Sequence, residues 1–108
     1  QSANEILASH GAAYCMPSIR VDGNDILAMM CATKEATDRA RNGEGPTLIE
    51  AITFRMSLHT TADDPTVYRH DDEVKVWEAR CPISRFETYL TSKGLLDSQA
   101  IEETLASC

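Results

Sequence analysis

Apolar residues recur at helical spacing between Ile26 and Asn42, and charged residues take most of the other positions. The apolar positions are Ile26, Met29, Met30, Ala36 and Ala40. This pattern predicts an amphipathic helix, because residues three and four apart lie on one helical face. Asp25 is the expected N-cap, and the stretch from Gly43 to Pro46 predicts the end of the helix.

Two segments on either side of this helix have the composition of strands. Ser18–Val21 follows Pro17 and ends at the turn Asp22–Asn24, while Thr47–Arg55 is rich in Thr, Ile, Leu and Phe. Glu50 lies among apolar neighbours in the second segment. We expect its side chain on a solvated face, with a paired site as the alternative.

Short helices are predicted at both ends of the chain, over residues 2–13, 71–79, 83–94 and 98–107. Gly11 is expected to end the first of them, and Pro82 separates the next two. His70 precedes two acidic residues and is expected at the entry to its helix, and Asp97 is expected to cap the last one.

The order of the elements predicts an α/β fold. A strand–helix–strand unit gives a parallel pair joined by a crossover, and two parallel strands do not make a stable sheet without neighbours. We therefore expect a single partial domain over 1–108, with further strands supplied by upstream residues or a partner. In this interpretation 1–69 forms a strand–helix–strand core with an active-site loop at 56–69, and 70–108 forms a helical tail.

Charge and cysteine content exclude several classes of function. The chain has 17 acidic and 10 basic residues and a net charge of -7, which disfavours nucleic acid and anionic membrane surfaces. Its apolar runs are too short to span a bilayer.

The four cysteines form no C-x-x-C pair, so no metal site is predicted. Without a secretory pattern at Gln1–Ser9, the expected compartment is the cytoplasm, or the mitochondrial matrix in a eukaryote.

The candidate chemistry lies in the loop 56–69, which shows no periodicity and leaves the carboxyl end of the second strand. Ligands collect at that edge of parallel sheets. Arg55 and Arg69 could hold anionic oxygens, and His59 could bind phosphate or transfer a proton near neutral pH. A polar loop of this composition is also commonly just solvated, so both interpretations stay open at this point.

Three stretches in order, IRVDGNDILA, GPTLIEAITFR and HTTADDPTVYR, resemble a known family. They are similar to the C-terminal part of the alpha subunit of thiamine-diphosphate-dependent 2-oxo acid dehydrogenases, of the branched-chain or pyruvate type. The following DEVKVWEARCPISRFETYLTSKGLLD resembles the helical tail of that subunit. The resemblance implies part of a thiamine-diphosphate-binding-type fold, with a short parallel sheet, flanking helices and a helical C-terminal tail.

The resemblance also implies roles for individual loop residues. His59 matches a histidine that lies near thiamine diphosphate and supports reductive acylation of the lipoyl group. Arg55 matches an arginine that supports the loop and the anionic end of the cofactor site, and Tyr68 and Arg69 match a pair that helps to receive the lipoyl domain. Thr60 stands where mitochondrial relatives carry a regulatory phosphorylated serine.

The chain departs from the family pattern in two places. Ser57 and Leu58 replace a pair that usually begins with glycine, which restricts the backbone before His59. The Gly-Asp-Gly motif for magnesium and diphosphate is absent from the sequence. The resemblance therefore implies thiamine diphosphate and magnesium in the parent enzyme but none bound by this chain alone. The implied partners are a beta subunit, which supplies the activating glutamate, and a lipoyl-bearing acyltransferase.

Two hypotheses from different classes follow. The chain is either a segment of a decarboxylating, lipoyl-acylating dehydrogenase, inactive in isolation, or a stand-alone, non-catalytic interaction or oligomerisation module derived from that subunit. The second hypothesis predicts a homo-oligomer, because an incomplete sheet exposes an edge that invites pairing.

Overall fold

The computed structural model describes residues 3–57, 60, 64 and 70–107. The chain divides into two compact units, Gln1–Phe54 and Arg55–Cys108. The elements, in order, are a 3-10 helix Leu7–Tyr14, β1 Ser18–Asp22, α1 Ile26–Arg41, β2 Leu48–Ile52, α2 Asp71–Glu78, α3 Pro82–Ser92 and α4 Ser98–Ser107. This mixture of helices and strands confirms the predicted α/β class, while the division into a core over 1–69 and a tail over 70–108 stays a prediction.

The first unit contains a two-stranded parallel sheet, as the strand–helix–strand pattern predicts. β1 and β2 pair from Ser18 opposite Leu48 to Asp22 opposite Ile52. The second strand is shorter than the predicted Thr47–Arg55, because β1 offers only five residues to pair with.

Helix α1 connects the two strands and begins at the predicted cap. The Asp25 carboxylate accepts a hydrogen bond from the Ala28 backbone N–H at 3.0 Å. Its outer face carries two pairs at i, i+4 spacing, Lys34 with Asp38 and Glu35 with Arg39. The helix ends at Arg41 before Gly43, which has a φ of 77° that glycine adopts without strain.

The predicted helix over residues 2–13 forms as a 3-10 helix over Leu7–Tyr14. Gly11 does not end it, so that part of the prediction was wrong. A Cβ at Gly11 would lie 2.8 Å from the Met16 carbonyl oxygen, and this glycine instead allows the chain to fold back closely on itself. The helix ends at Tyr14, and its C-cap residue Cys15 has a left-handed φ of 53°.

The first unit buries little apolar surface. Within the described residues, the buried apolar side chains are those of Ala8 and Ala32, each 6% exposed, and no large side chain is fully buried. Every residue of β2 except the exposed Ala51 is half-buried. The sheet is thus only partly covered by this chain's described residues.

The described part of the second unit contains three helices, which agree with the predicted spans to within two residues. His70 is the N-cap residue of α2, as expected, and Pro82 opens α3. The Asp97 carboxylate accepts from the Ala100 N–H at 2.8 Å and so caps α4, also as expected. No helix in the described ranges is both long and apolar enough to cross a membrane.

Candidate functional site

The carboxyl ends of β1 and β2 lie at one edge of the sheet, because the strands are parallel. The turn Asp22–Asp25 follows β1 there, and Thr53 follows β2. The sequence predicts this edge as the ligand side. The structure therefore brings together the turn between β1 and α1 and the start of the segment that leaves β2.

Two consecutive residues of the turn are hydrogen-bonded to the end of β2. The Gly23 N–H donates to the Ile52 carbonyl oxygen at 2.7 Å, and the Thr53 hydroxyl donates to Asn24 Oδ1 at 2.8 Å. Asn24 is only 8% exposed. The sequence predicts this stretch as a turn and cap, which is confirmed, but it does not reveal the buried amide or its bond to Thr53.

Gly23 is required by the close approach of the two chain segments. A Cβ at this position would lie 2.8 Å from the Ile52 carbonyl oxygen, a distance that carbon and backbone oxygen do not tolerate. Any side chain here would push the turn away from β2. The contact between turn and strand end is thus built into the backbone.

The loop residues predicted to carry the chemistry are only partly described. Arg55 and Thr60 are exposed. His59, Tyr68 and Arg69 lie outside the described residues, so their grouping around a ligand stays a prediction. Exposure of Thr60 is the geometry that a modifying enzyme would need, and its phosphorylation stays a prediction.

A second feature of the first unit is an open groove of about 500 Å³. Its lining is mostly apolar and comprises Leu7, His10, Tyr14, Met16, Leu48, Ile49, Glu50 and Ala51. Consecutive strand residues point to opposite faces, so four consecutive lining residues place the groove along the open edge of β2. A further strand or chain segment could occupy such an edge.

Glu50 in this groove is not on a solvated face, so the expectation for it was wrong. Its side chain is 10% exposed, Oε2 accepts from the Ala8 N–H at 2.7 Å, and Oε1 lies 3.5 Å from Arg20 Nε. The alternative, a paired site, is the one the structure has. The pairing ties the strand to the 3-10 helix rather than to a ligand.

The described residues do not form a metal site. Within residues 3–57 and 70–107, together with Thr60 and Asp64, no group of three or more His, Cys, Asp or Glu side chains is placed to hold an ion. These residues therefore do not fit magnesium, and no chemistry is assigned to a metal here.

All of residues 1–108 match the family model for the dehydrogenase E1 component. The chain is 53% identical over 110 residues to the pyruvate dehydrogenase E1 component subunit alpha of Acholeplasma laidlawii, which covers 97% of this chain and 32% of that protein.

Two further relatives give the same result. The chain is 51% identical over 107 residues to the 3-methyl-2-oxobutanoate dehydrogenase subunit alpha of Mycobacterium tuberculosis, covering 99% of this chain and 29% of the relative. It is 50% identical over 106 residues to the pyruvate dehydrogenase E1 component subunit alpha of Staphylococcus aureus, covering 97% and 29%. The chain thus spans about a third of the length of these curated relatives, and it belongs to the dehydrogenase E1 component family.

Proposed function

We propose that this chain is a C-terminal segment of the alpha subunit of a 2-oxo acid dehydrogenase, which decarboxylates a 2-oxo acid and acylates a lipoyl group. The observation that carries the proposal is the family match along all 108 residues, together with relatives named as alpha subunits. The isolated segment is expected to be inactive, since those relatives are about three times as long.

The open edge of β2 supports a place inside a larger sheet. The groove along this edge is lined mainly by apolar side chains, and the described strands pair only with each other. In the complete subunit we expect a neighbouring strand to pair with β2 and cover the groove, giving the sheet of a thiamine-diphosphate-binding-type fold. Parallel sheets need such neighbours and cover on both faces.

The loop after β2 carries the chemical part of the proposal. His59 would serve lipoyl acylation, because histidine exchanges protons near neutral pH. Arg55 would hold the loop and an anionic group of the cofactor, and Tyr68 with Arg69 would receive the lipoyl domain. A phosphate on Thr60 would add negative charge beside Asp63 and Asp64 and disfavour the same loop conformation.

Cofactor and partners come from outside the described residues in this proposal. The remaining two thirds of the alpha subunit would hold magnesium and the diphosphate of thiamine diphosphate. A beta subunit would supply the activating glutamate, and a lipoyl-bearing acyltransferase would accept the acyl group. Thiamine diphosphate carries the decarboxylation chemistry itself, while the protein orients and shields the reactants.

The test uses the full-length alpha subunit assembled with its beta subunit, magnesium and thiamine diphosphate. We expect His59→Ala to slow reductive acylation of a lipoyl domain by roughly 100-fold or more, the usual contribution of a general acid or base. His70→Ala is the matched control, because His70 is exposed and its side chain makes no capping hydrogen bond. Equal losses in the two variants would contradict the role of His59.

The isolated 108-residue chain provides the second arm of the test. With magnesium, thiamine diphosphate and a 2-oxo acid labelled at its carboxyl carbon, we expect no release of labelled carbon dioxide. Turnover by this chain alone would overturn its assignment as an incomplete segment.

The open edge of β2 also favours a second candidate, a non-catalytic module that pairs with a copy of itself. Size-exclusion chromatography with mass detection separates the two. A stable dimer that is indifferent to added thiamine diphosphate and beta subunit would favour the module. A chain that becomes well folded only with the rest of the enzyme would favour the dehydrogenase.

A further inference from the structure

Asn24 is a buried polar residue, with 8% of its surface exposed. A buried amide needs hydrogen-bond partners to offset its lost hydration. Its Oδ1 accepts a hydrogen bond from the Thr53 hydroxyl at 2.8 Å, from a residue 29 positions further along the chain. The bond therefore joins the turn after β1 to the chain just beyond β2.

A second bond runs beside the first. The Gly23 N–H donates to the Ile52 carbonyl oxygen at 2.7 Å, so neighbouring residues of the turn hold neighbouring residues at the end of β2. One hydrogen bond would leave the chain free to rotate about it. Two adjacent bonds fix the position of Ile52 and Thr53 relative to the turn.

The turn Asp22–Asp25 is itself held in place by hydrogen bonds. The Asn24 N–H donates to the Asp22 carboxylate at 2.9 Å, and the Asp25 N–H donates to the Asp22 carbonyl oxygen at 3.2 Å. Asp25 also caps α1. The anchor for Thr53 is thus tied to the end of β1 and to the start of α1.

Thr53 lies just before the segment of the proposed chemistry, since Arg55 follows two positions later and His59 six positions later. We propose that Asn24 and Thr53 are positioning residues, which act on catalysis by fixing where this segment begins. The inference rests on the proposed function. A displacement of reacting groups by about 1 Å can cost on the order of 100-fold in rate, so a remote anchor can matter.

The test compares Thr53→Val with Thr53→Ser in the full-length alpha subunit assembled with its beta subunit and a lipoyl domain. Valine keeps the shape of threonine and removes the donor, whereas serine keeps the donor. We expect Thr53→Val to lower kcat for lipoyl acylation by about tenfold, equivalent to about 1.4 kcal/mol of transition-state free energy, with KM for the 2-oxo acid unchanged. Thr53→Ser should restore most of the rate.

Thr47→Val is the matched control at the other end of β2. The Thr47 hydroxyl is buried and makes no hydrogen bond to any described residue, so the same substitution should leave kcat at the wild-type value. A purely structural effect of valine beside either end of β2 would lower kcat in both variants and would overturn the proposal. So would a Thr53→Val enzyme with wild-type kcat, or a Thr53→Ser enzyme as slow as Thr53→Val.

Hydrogen exchange separates failure of this inference from failure of the proposed function. If the wild-type assembly turns over no 2-oxo acid, the proposed function fails, and the anchor is judged by amide exchange at residues 54–57. Faster exchange in Thr53→Val, but not in Thr53→Ser or Thr47→Val, supports the anchor. Equal exchange in all of them overturns it.

Discussion

One carboxylate joins three segments of the first unit. Glu50 lies in β2, accepts a hydrogen bond from the Ala8 N–H in the 3-10 helix, and faces Arg20 in β1. The two contacts contribute differently to stability. Arg20 keeps 47% of its side chain exposed, and such half-solvated ion pairs contribute about 0–1 kcal/mol. Ala8 is buried, so its N–H would lose its partner without regaining water.

The first prediction follows from this difference. Glu50→Ala should lower the free energy of unfolding by about 1–3 kcal/mol, the usual cost of leaving a buried donor unsatisfied. Glu50→Gln should cost less, because its amide oxygen can still accept from the Ala8 N–H. Urea unfolding of the full-length subunit measures both. If Arg20→Ala destabilised as much as Glu50→Ala, the ion pair would be the main contribution instead.

At this scale the sequence predicts local contacts better than distant ones. The caps formed by Asp25 and Asp97 are evident from their position before an apolar periodic segment, since the bonds they accept come from three residues ahead. The position of Glu50 depends on a donor 42 residues away, which no local pattern contains. The bond between Asn24 and Thr53 is hidden for the same reason.

The helices differ in how their first turns are stabilised. Carboxylates cap α1 and α4, whereas α3 begins after Cys81. Cys81 makes no side-chain capping bond as a thiol. Hydrogen bonds from the backbone N–H of Ser84, then from that of Ile83 and from the Ser84 side chain, favour the thiolate and lower the pKa of Cys81. Backbone N–H groups in the first turn of a helix stabilise a negative charge placed beside them.

Alkylation should reveal this lowered pKa. We expect the pH midpoint for modification of Cys81 by iodoacetamide to be lower in the folded full-length subunit than in urea, when followed peptide by peptide with mass spectrometry. Ser84→Ala should raise the folded midpoint only slightly, since it leaves the backbone donors in place. Identical midpoints in the folded and denatured chains would contradict the effect.

The lowered pKa of Cys81 also determines how the stability of α3 changes with pH. Because the folded pKa lies below the unfolded one, the thiolate favours the folded helix. That contribution is fully present above the pKa of the unfolded thiol and is lost as the pH falls through the folded pKa of Cys81. The helix should therefore become more stable as pH rises through this window.

The ends of helices could be predicted where the sequence contains a strong capping or helix-breaking residue. The ends of α1 and the start of α3 follow from an aspartate, glycines and a proline. The first helix begins five residues later than predicted and does not end at Gly11, because this glycine serves a close approach of the backbone rather than a helix stop. A glycine has both uses, and only the folded chain distinguishes them.

At the scale of the molecule, little apolar surface is covered. Buried apolar side chains in the described part of the first unit are limited to two alanines, and the second unit exposes Ile83, Leu95 and Leu105 at more than 70% each. Small domains are marginal even with a full core. The proposed place in a larger subunit explains this surface, since the remaining chain would cover it.

The corresponding prediction concerns folding of the isolated chain. We expect it to unfold on heating without a sharp transition and to bind the dye 8-anilinonaphthalene-1-sulfonate strongly, because its apolar surface stays accessible. The full-length subunit should unfold cooperatively and bind little dye. Circular dichroism and fluorescence measure both, and a sharp transition in the isolated chain at the same temperature would argue for a self-sufficient domain.

The hydrogen bond between Ala8 and Glu50 also orders events during synthesis. At about 5–20 residues per second, the 42 positions between them take roughly 2–8 s to translate. During that interval the Ala8 N–H lacks its acceptor, and β1 has no β2 to pair with. Within the first unit, the 3-10 helix and β1 are therefore made before β2 but become stable only after it.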